Sequence, residues 1–220
     1  MSRLLDTVTH RFVSTERADS LTSRLRRRRW ERFLRHFPHV GEMDVLDIGG
    51  EAQFWRQREV RPAQVTMVNV VAEDVAEPWI RSVVGDGCAL PAGLGEFDLV
   101  FSNSVIEHVG GHWRRERFAE QVSAAAPRYW VQTPNRYFPV EPHFLFPFFQ
   151  HLPRSAQASV AARWPVGNFG PVRDRDVAFG YALEIELLSR AEMRRYFPDA
   201  ELLAEKVAGV TKSWIAVRRA

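Results

Sequence analysis

Three groups of residues in this chain carry the side-chain types that acid–base or ligand chemistry needs. The first closes Phe97-Asp98-Leu99-Val100-Phe101-Ser102-Asn103-Ser104-Val105-Ile106-Glu107-His108-Val109, an apolar run that gives way to hydroxyl, amide, carboxylate and imidazole groups. The second is Glu141 with His143, two positions apart, which an extended segment would project to the same side. The third is Asp47-Ile48-Gly49-Gly50, an acid and a glycine pair ending another apolar run. Histidine is the side chain best suited to take a proton near neutral pH. His143 and His108 are therefore the candidate bases, with Glu141 orienting His143. The same region offers ligands for a divalent ion: Glu107, His108 and Glu141. Magnesium would favour the carboxylate oxygens among them. Glu107 and His108 are adjacent, so they are not expected to face one pocket together. Each histidine also has a plainer role open to it, as a packing residue at a helix start (His108) or a loop residue bonded to backbone (His143).

Chemistry of this kind sits at the carboxyl ends of strands in open α/β sheets. The elements read from the sequence fit such a sheet. Residues 1–40 read as helical, capped at Ser20 or Thr22 and stopped by Pro38. Strands follow at Asp44–Ile48, Gln64–Val70, Ile80–Val84, Phe97–Ser102 and Arg128–Thr133, with helices at Glu51–Arg58 and Trp113–Ala124. This alternation predicts a mostly parallel sheet with helices on both faces. Residues 134–172, dense in proline and aromatics, read as an insertion after strand five. Ser189 caps a helix through Tyr196, and Ala200–Val207 and Ser213–Val217 are closing strands whose short link makes them an antiparallel pair.

The 220 residues suffice for one domain with a full core. No run reaches the ~20 apolar residues of a membrane span, and the start lacks the apolar region of a signal peptide. A single cysteine, Cys88, leaves no internal disulfide, so the expected location is the cytoplasm. The net charge is only +3. Its basic excess gathers at Arg24 and Arg26-Arg27-Arg28-Arg29. That segment reads as the solvated face of an amphipathic helix with Leu21, Leu25, Phe33 and Leu34 beneath, in preference to a nucleic-acid track.

The glycine pair permits close approach of a ligand, and the helix after it offers free N–H groups. A dinucleotide site would show G-x-G-x-x-G, and after Gly50 the next glycine is Gly85. Asn69, nineteen positions after Gly50, stands where doubly wound folds meet a ribose hydroxyl. Asp86, in Gly85-Asp86-Gly87-Cys88, can accept from a purine amine.

In this order and spacing, the residues resemble the class I S-adenosylmethionine-dependent methyltransferases. The matching segments are Asp47-Ile48-Gly49-Gly50, Asn69, Gly85-Asp86-Gly87-Cys88-Ala89-Leu90-Pro91 and Phe97-Asp98-Leu99-Val100-Phe101-Ser102-Asn103. The resemblance implies a seven-stranded sheet with an antiparallel last strand. It implies S-adenosylmethionine held by Asp47, Gly49, Gly50, Asn69, Asp86, Gly87, Cys88, Ser102 and Asn103. Glu51-Ala52-Gln53-Phe54-Trp55 and Thr133-Pro134-Asn135-Arg136-Tyr137-Phe138-Pro139-Val140-Glu141-Pro142-His143 are similar to a bacterial small-molecule and glycan subgroup, which includes the mycobacterial methylmannose polysaccharide O-methyltransferases. The acceptor expected on that footing is a sugar, oligosaccharide or similar small molecule. Nucleic acid is not the expected partner, because neither an N/D-P-P-Y pattern nor a Pro-Cys nucleophile is present. A non-catalytic binder with the same fold remains an alternative. The aromatic run Phe144–Phe149 can serve as a lid, a homodimer surface or a membrane-facing patch. Trp55, Trp113, Tyr137 and Trp164 are candidate stacking faces for the acceptor.

Overall fold

The computed structural model describes residues 21–164 and 174–219. The cap proposed at Ser20, the helix expected before residue 21 and the insertion's residues 165–172 lie outside the described residues.

A seven-stranded sheet runs in the order β3-β2-β1-β4-β5-β9-β8. Its strands are β1 (Asp44–Ile48), β2 (Gln64–Asn69), β3 (Ile80–Val84), β4 (Leu99–Asn103), β5 (Arg128–Pro134), β8 (Glu201–Val207) and β9 (Val210–Arg218). The first five are parallel, and β9 is antiparallel to both β5 and β8. The closing pair is thus antiparallel as expected, with the last strand in the chain lying inside the sheet and β8 at its edge.

Alternation along the strands divides the core. Leu46, Ile48, Val100, Tyr129 and Val131 pack on one face with Phe118 and Val122 of α3 (His112–Ala125) and Met193 of α6 (Arg190–Tyr196). Val45, Met67, Phe101 and Trp130 pack on the other face with Trp55 of α2 (Ala52–Arg56) and with α1 (Leu21–His36). Helix α1 buries Trp30 and Phe33, followed by Phe37 just past its end. At roughly 1.5–3 kcal/mol per buried large apolar side chain, these anchors hold a helix whose outer face is densely cationic. Arg24, Arg26, Arg27 and Arg28 are exposed, as the solvated-face reading requires, but Arg29 is not. Ser189 and Glu192 form a reciprocal capping box at the start of α6.

The insertion after β5 has a core of its own. A short hairpin, β6 (Val140–Glu141) with β7 (Phe146–Pro147), leads to a single 3₁₀ turn and to α4 (Arg154–Arg163) and α5 (Arg175–Glu184). Phe144 and Phe149 stack at 4.1 Å and are buried with Ala161, Ala178 and Leu187. Leu145 and Phe148 point outward from left-handed backbone conformations. Among the described residues, no helix is long and apolar enough to cross a membrane.

Candidate functional site

The site is assembled where β1, β4 and β5 end. At the end of β1 the chain turns through Gly49, whose φ of +78° favours glycine. Its N–H donates to the Val68 carbonyl at 2.9 Å. A Cβ on Gly49 would lie 2.5 Å from Val105 Cγ2, so the loop after β4 rests directly on the glycine turn. A Cβ on Gly50 would lie 1.7 Å from Asp47 Oδ2. Asn69 Nδ2 donates to the Gly50 carbonyl at 2.8 Å, so this amide fastens the turn.

Asp47 is only 1% exposed. Trp55 Nε1 donates to its Oδ2 at 2.6 Å, while Oδ1 is buried with no hydrogen-bond partner. Trp55 is therefore a buried donor to Asp47, whereas Trp113 and Tyr137 remain exposed. Burial pushes the Asp47 carboxyl up to about 7, with the Trp55 hydrogen bond opposing and nearby Glu51 adding to the rise. A raised folded-state value means that stability is lost as pH climbs from about 4, where the unfolded carboxyl ionises, through about 7. Asp47→Asn keeps an acceptor for Trp55 and never ionises. Its stability relative to the parent chain is expected to grow between pH 5 and pH 8, read by urea unfolding at both values. An equal difference at the two pH values would contradict this account of Asp47.

Several expected cofactor residues prove to be engaged within the protein. Ser102 Oγ donates to the Ile48 carbonyl at 3.0 Å and ties β4 to β1. Asp86 accepts Arg114 through both carboxylate oxygens, at 2.9 and 2.8 Å, and accepts Cys88 N–H at 2.9 Å. Gly87 lies so close to β1 that a Cβ would sit 2.7 Å from Ile48 Cγ2. The Cys88 thiol donates to the Arg114 carbonyl, and burial pushes its pKa up to about 11, which makes it a poor nucleophile.

Asn103 joins a network that the charge run concealed. Arg29 reaches in from α1 and donates to Asn103 Oδ1 at 2.8 Å and Gln132 Oε1 at 3.1 Å. It also grips Glu205 of β8 through two hydrogen bonds, at 2.9 and 2.6 Å. Burial opposes ionisation of Glu205, and Arg29 overrides it, holding the carboxyl below its usual value. Arg29→Ala would remove that carboxylate's principal partner and leave only Lys212 and Ser213 to offset its burial. Loss of one partner of a buried pair typically costs about 3–5 kcal/mol, and the small residual exposure of this pair places the expected loss near the lower bound. Urea unfolding of R29A checks it.

The titratable cluster lies beside this network. Ser104 adopts a φ of +61°, and residues 105–108 form a turn closed by His108 N–H on the Val105 carbonyl at 2.8 Å. Consequently Glu107 and His108 do reach one site, contrary to the expectation from adjacency. Neighbouring side chains diverge on a helix or strand, but a tight turn brings them together. The ligating atoms of Glu107, His108 and His143 all lie within 4.8 Å of one another. His108 Nε2 and His143 Nε2 are 3.2 Å apart. His143 Nδ1 meets Glu141 Oε1 at 2.5 Å, and Glu141 Oε2 accepts the N–H groups of His143 and Phe144 at 2.8 and 2.7 Å. Glu141 thus stands behind His143, and the residues whose ligating atoms gather are Glu107, His108 and His143 rather than Glu107, His108 and Glu141. Thr133 Oγ1 at the end of β5 donates to Glu107 Oε2 at 2.9 Å, while Glu107 Oε1 is buried without a partner.

Electrostatics separate these groups. Burial lifts the Glu107 carboxyl to about 7, with His143 and Thr133 opposing. Burial and the neighbouring His143 push His108 down to about 3. Burial also disfavours a charge on His143, but Glu141 more than offsets it and raises the pKa. Glu141 therefore favours a proton on His143, while burial disfavours one on His108.

No protein-family model and no curated protein matches this chain. Solved structures do. Magnesium protoporphyrin IX methyltransferase (ChlM) from Synechocystis PCC 6803, with bound S-adenosylhomocysteine, superposes with a TM-score of 0.57 at 10% identity, covering 99% of this chain and 97% of that one. The N-methyltransferase NodS from Bradyrhizobium japonicum WM9, also with S-adenosylhomocysteine, gives 0.54 at 10% identity, with coverage of 97% and 96%. The methyltransferase domain of bacterial CtHen1 gives 0.53 at 13% identity, with coverage of 88% and 98%. The fold is that of the class I methyltransferases. At such identities the class I methyltransferase likeness fixes architecture alone, and chemistry must be argued from the side chains.

Proposed function

We propose that this chain is an S-adenosylmethionine-dependent methyltransferase that acts on a hydroxyl oxygen of a sugar or similar small molecule. The observation that supports it most is the contact between two sites. The Gly49 turn, which the sequence resemblance assigns to the cofactor, packs against Val105, and two residues further on stand Glu107 and His108. The residues present fit the cofactor: at the glycine turn the orphaned Asp47 Oδ1 suits a cation or a hydroxyl donor. When bound, the cofactor supplies an electrophilic methyl group on a sulfonium.

The chain's part is to hold the acceptor and take its proton. Asp47, Gly49, Gly50 and the Asn69 carbonyl would line the cofactor side. His143, fixed by Glu141, and His108 would hold the acceptor oxygen. The hydroxyl proton passes to the cluster, where Glu107 Oε1 is a buried acceptor with no partner. Proximity and a positioned proton acceptor are what oxygen methylation asks of a protein. The resemblance to glycan-modifying relatives makes methylmannose-type oligosaccharides the first acceptors to screen. Calorimetric titration with S-adenosylhomocysteine tests the reading. One site per chain with micromolar affinity is expected, and a folded protein that shows no binding would remove it.

A further inference from the structure

We propose that Glu107, His108 and His143 bind one divalent transition ion of the zinc class, with the rest of its shell open to water or to an acceptor hydroxyl. Only that last clause rests on the methyl-transfer reading. Two imidazole nitrogens on one ion, each about 2.1 Å from it, stand roughly 3.0–3.4 Å apart for bond angles between octahedral and tetrahedral. His108 Nε2 and His143 Nε2 are 3.2 Å apart. Three such ligands must lie within about 4.2 Å of one another, and these lie within 4.8 Å. An ion would draw the Glu107 carboxylate inward by about 1–2 Å to complete three ligands at those angles.

A hydrogen bond between the two rings would account for the nitrogen spacing alone. It would not explain the Glu107 carboxylate, which is fully buried with Oε1 unpartnered and with an oxygen within 4.8 Å of both nitrogens. Nor would it explain Glu141, which engages His143 Nδ1 at 2.5 Å and so leaves Nε2 turned toward His108. A carboxylate behind a histidine is the usual outer support of a metal-bound imidazole. Two nitrogens among three donors favour zinc, cobalt or ferrous iron over magnesium. With an ion in place, the acceptor's oxygen meets the metal, and its proton is more easily lost to solvent water.

The test uses the untagged, chelator-stripped full chain, without cofactor or acceptor. Calorimetry with zinc chloride should show one site per chain. Cobalt chloride should produce visible d–d absorption bands, and magnesium chloride should produce no heat. E107Q, H108Q and H143Q should each weaken zinc binding at least a hundredfold. E141Q, which removes only the outer support, should weaken it ten- to a hundredfold. Near-UV circular dichroism confirms that each variant is folded, and E141Q keeps the test decisive if a ligand variant is not. Absence of a saturable zinc site overturns the proposal, as does zinc binding that is unchanged in folded H143Q and E141Q. Titration of the metal-free protein with S-adenosylhomocysteine separates the two readings. Cofactor binding without zinc binding defeats the metal site alone. Zinc binding without cofactor binding defeats the methyltransferase reading and leaves the metal site standing.

Discussion

Gly49→Ala is expected to destabilise the protein by roughly 2–5 kcal/mol. Two costs add. A non-glycine residue at φ +78° loses about 1–2 kcal/mol to backbone sterics. Forcing a methyl group to 2.5 Å from Val105 Cγ2 adds about 1–3 kcal/mol of overpacking. Domains of this size have only about 5–15 kcal/mol in total, so the variant should sit close to its unfolding threshold. Relief of the clash must move Val105, and with it the turn that carries Glu107 and His108. Whatever fraction stays folded should therefore also have a disturbed site. Gly93→Ala is the internal control. Gly93 has a similar φ of +74°, but an added Cβ there meets nothing within 4 Å. It should show the conformational cost only. Equal losses by urea unfolding in the two variants would mean that the glycine turn and the loop after β4 do not depend on each other.

Much of the architecture was legible because its signals are local. The first strand, Asp44–Ile48, and the third, Ile80–Val84, match the expected limits residue for residue. Each is a short apolar or alternating run between breakers. The capping pair Ser189 and Glu192 likewise announced α6. The insertion was legible only as an interruption. Helices α4 and α5 went unread because their apolar residues pack on each other and on Phe144 and Phe149, away from the sheet, so no stripe facing the main core marks them. Arg29 was hidden by its neighbours: one of four consecutive arginines carries no sign that it alone turns inward to Glu205. The cluster was half legible. Glu141 with His143 followed from their spacing, although a turn stabilised by the Glu141 carboxylate replaces the extended segment. The joint arrival of Glu107 and His108 depends on the left-handed Ser104, and serine does not advertise that conformation.

His143→Ala is expected to lower kcat by about 10²–10⁴-fold, the range of a positioned acid–base group, while the Kd for S-adenosylhomocysteine stays within about twofold. The separation follows from what each part of the loop depends on. Glu141 Oε2 is satisfied by the main-chain N–H groups of residues 143 and 144, which alanine supplies as well as histidine. The hairpin turn should therefore survive the loss of the ring. The bonds of the glycine turn, Asp47 and Asn69 run to Val68, Trp55 and Gly50. What disappears is the imidazole that faces His108 and is held by Glu141. Glu141→Gln should fall in the same direction by a smaller factor, because it loosens the ring without removing it. A fall in cofactor affinity that parallels the fall in kcat would show that His143 supports the fold of the pocket. Retained cofactor binding with lost turnover would place it at the acceptor, beside the oxygen that receives the methyl group.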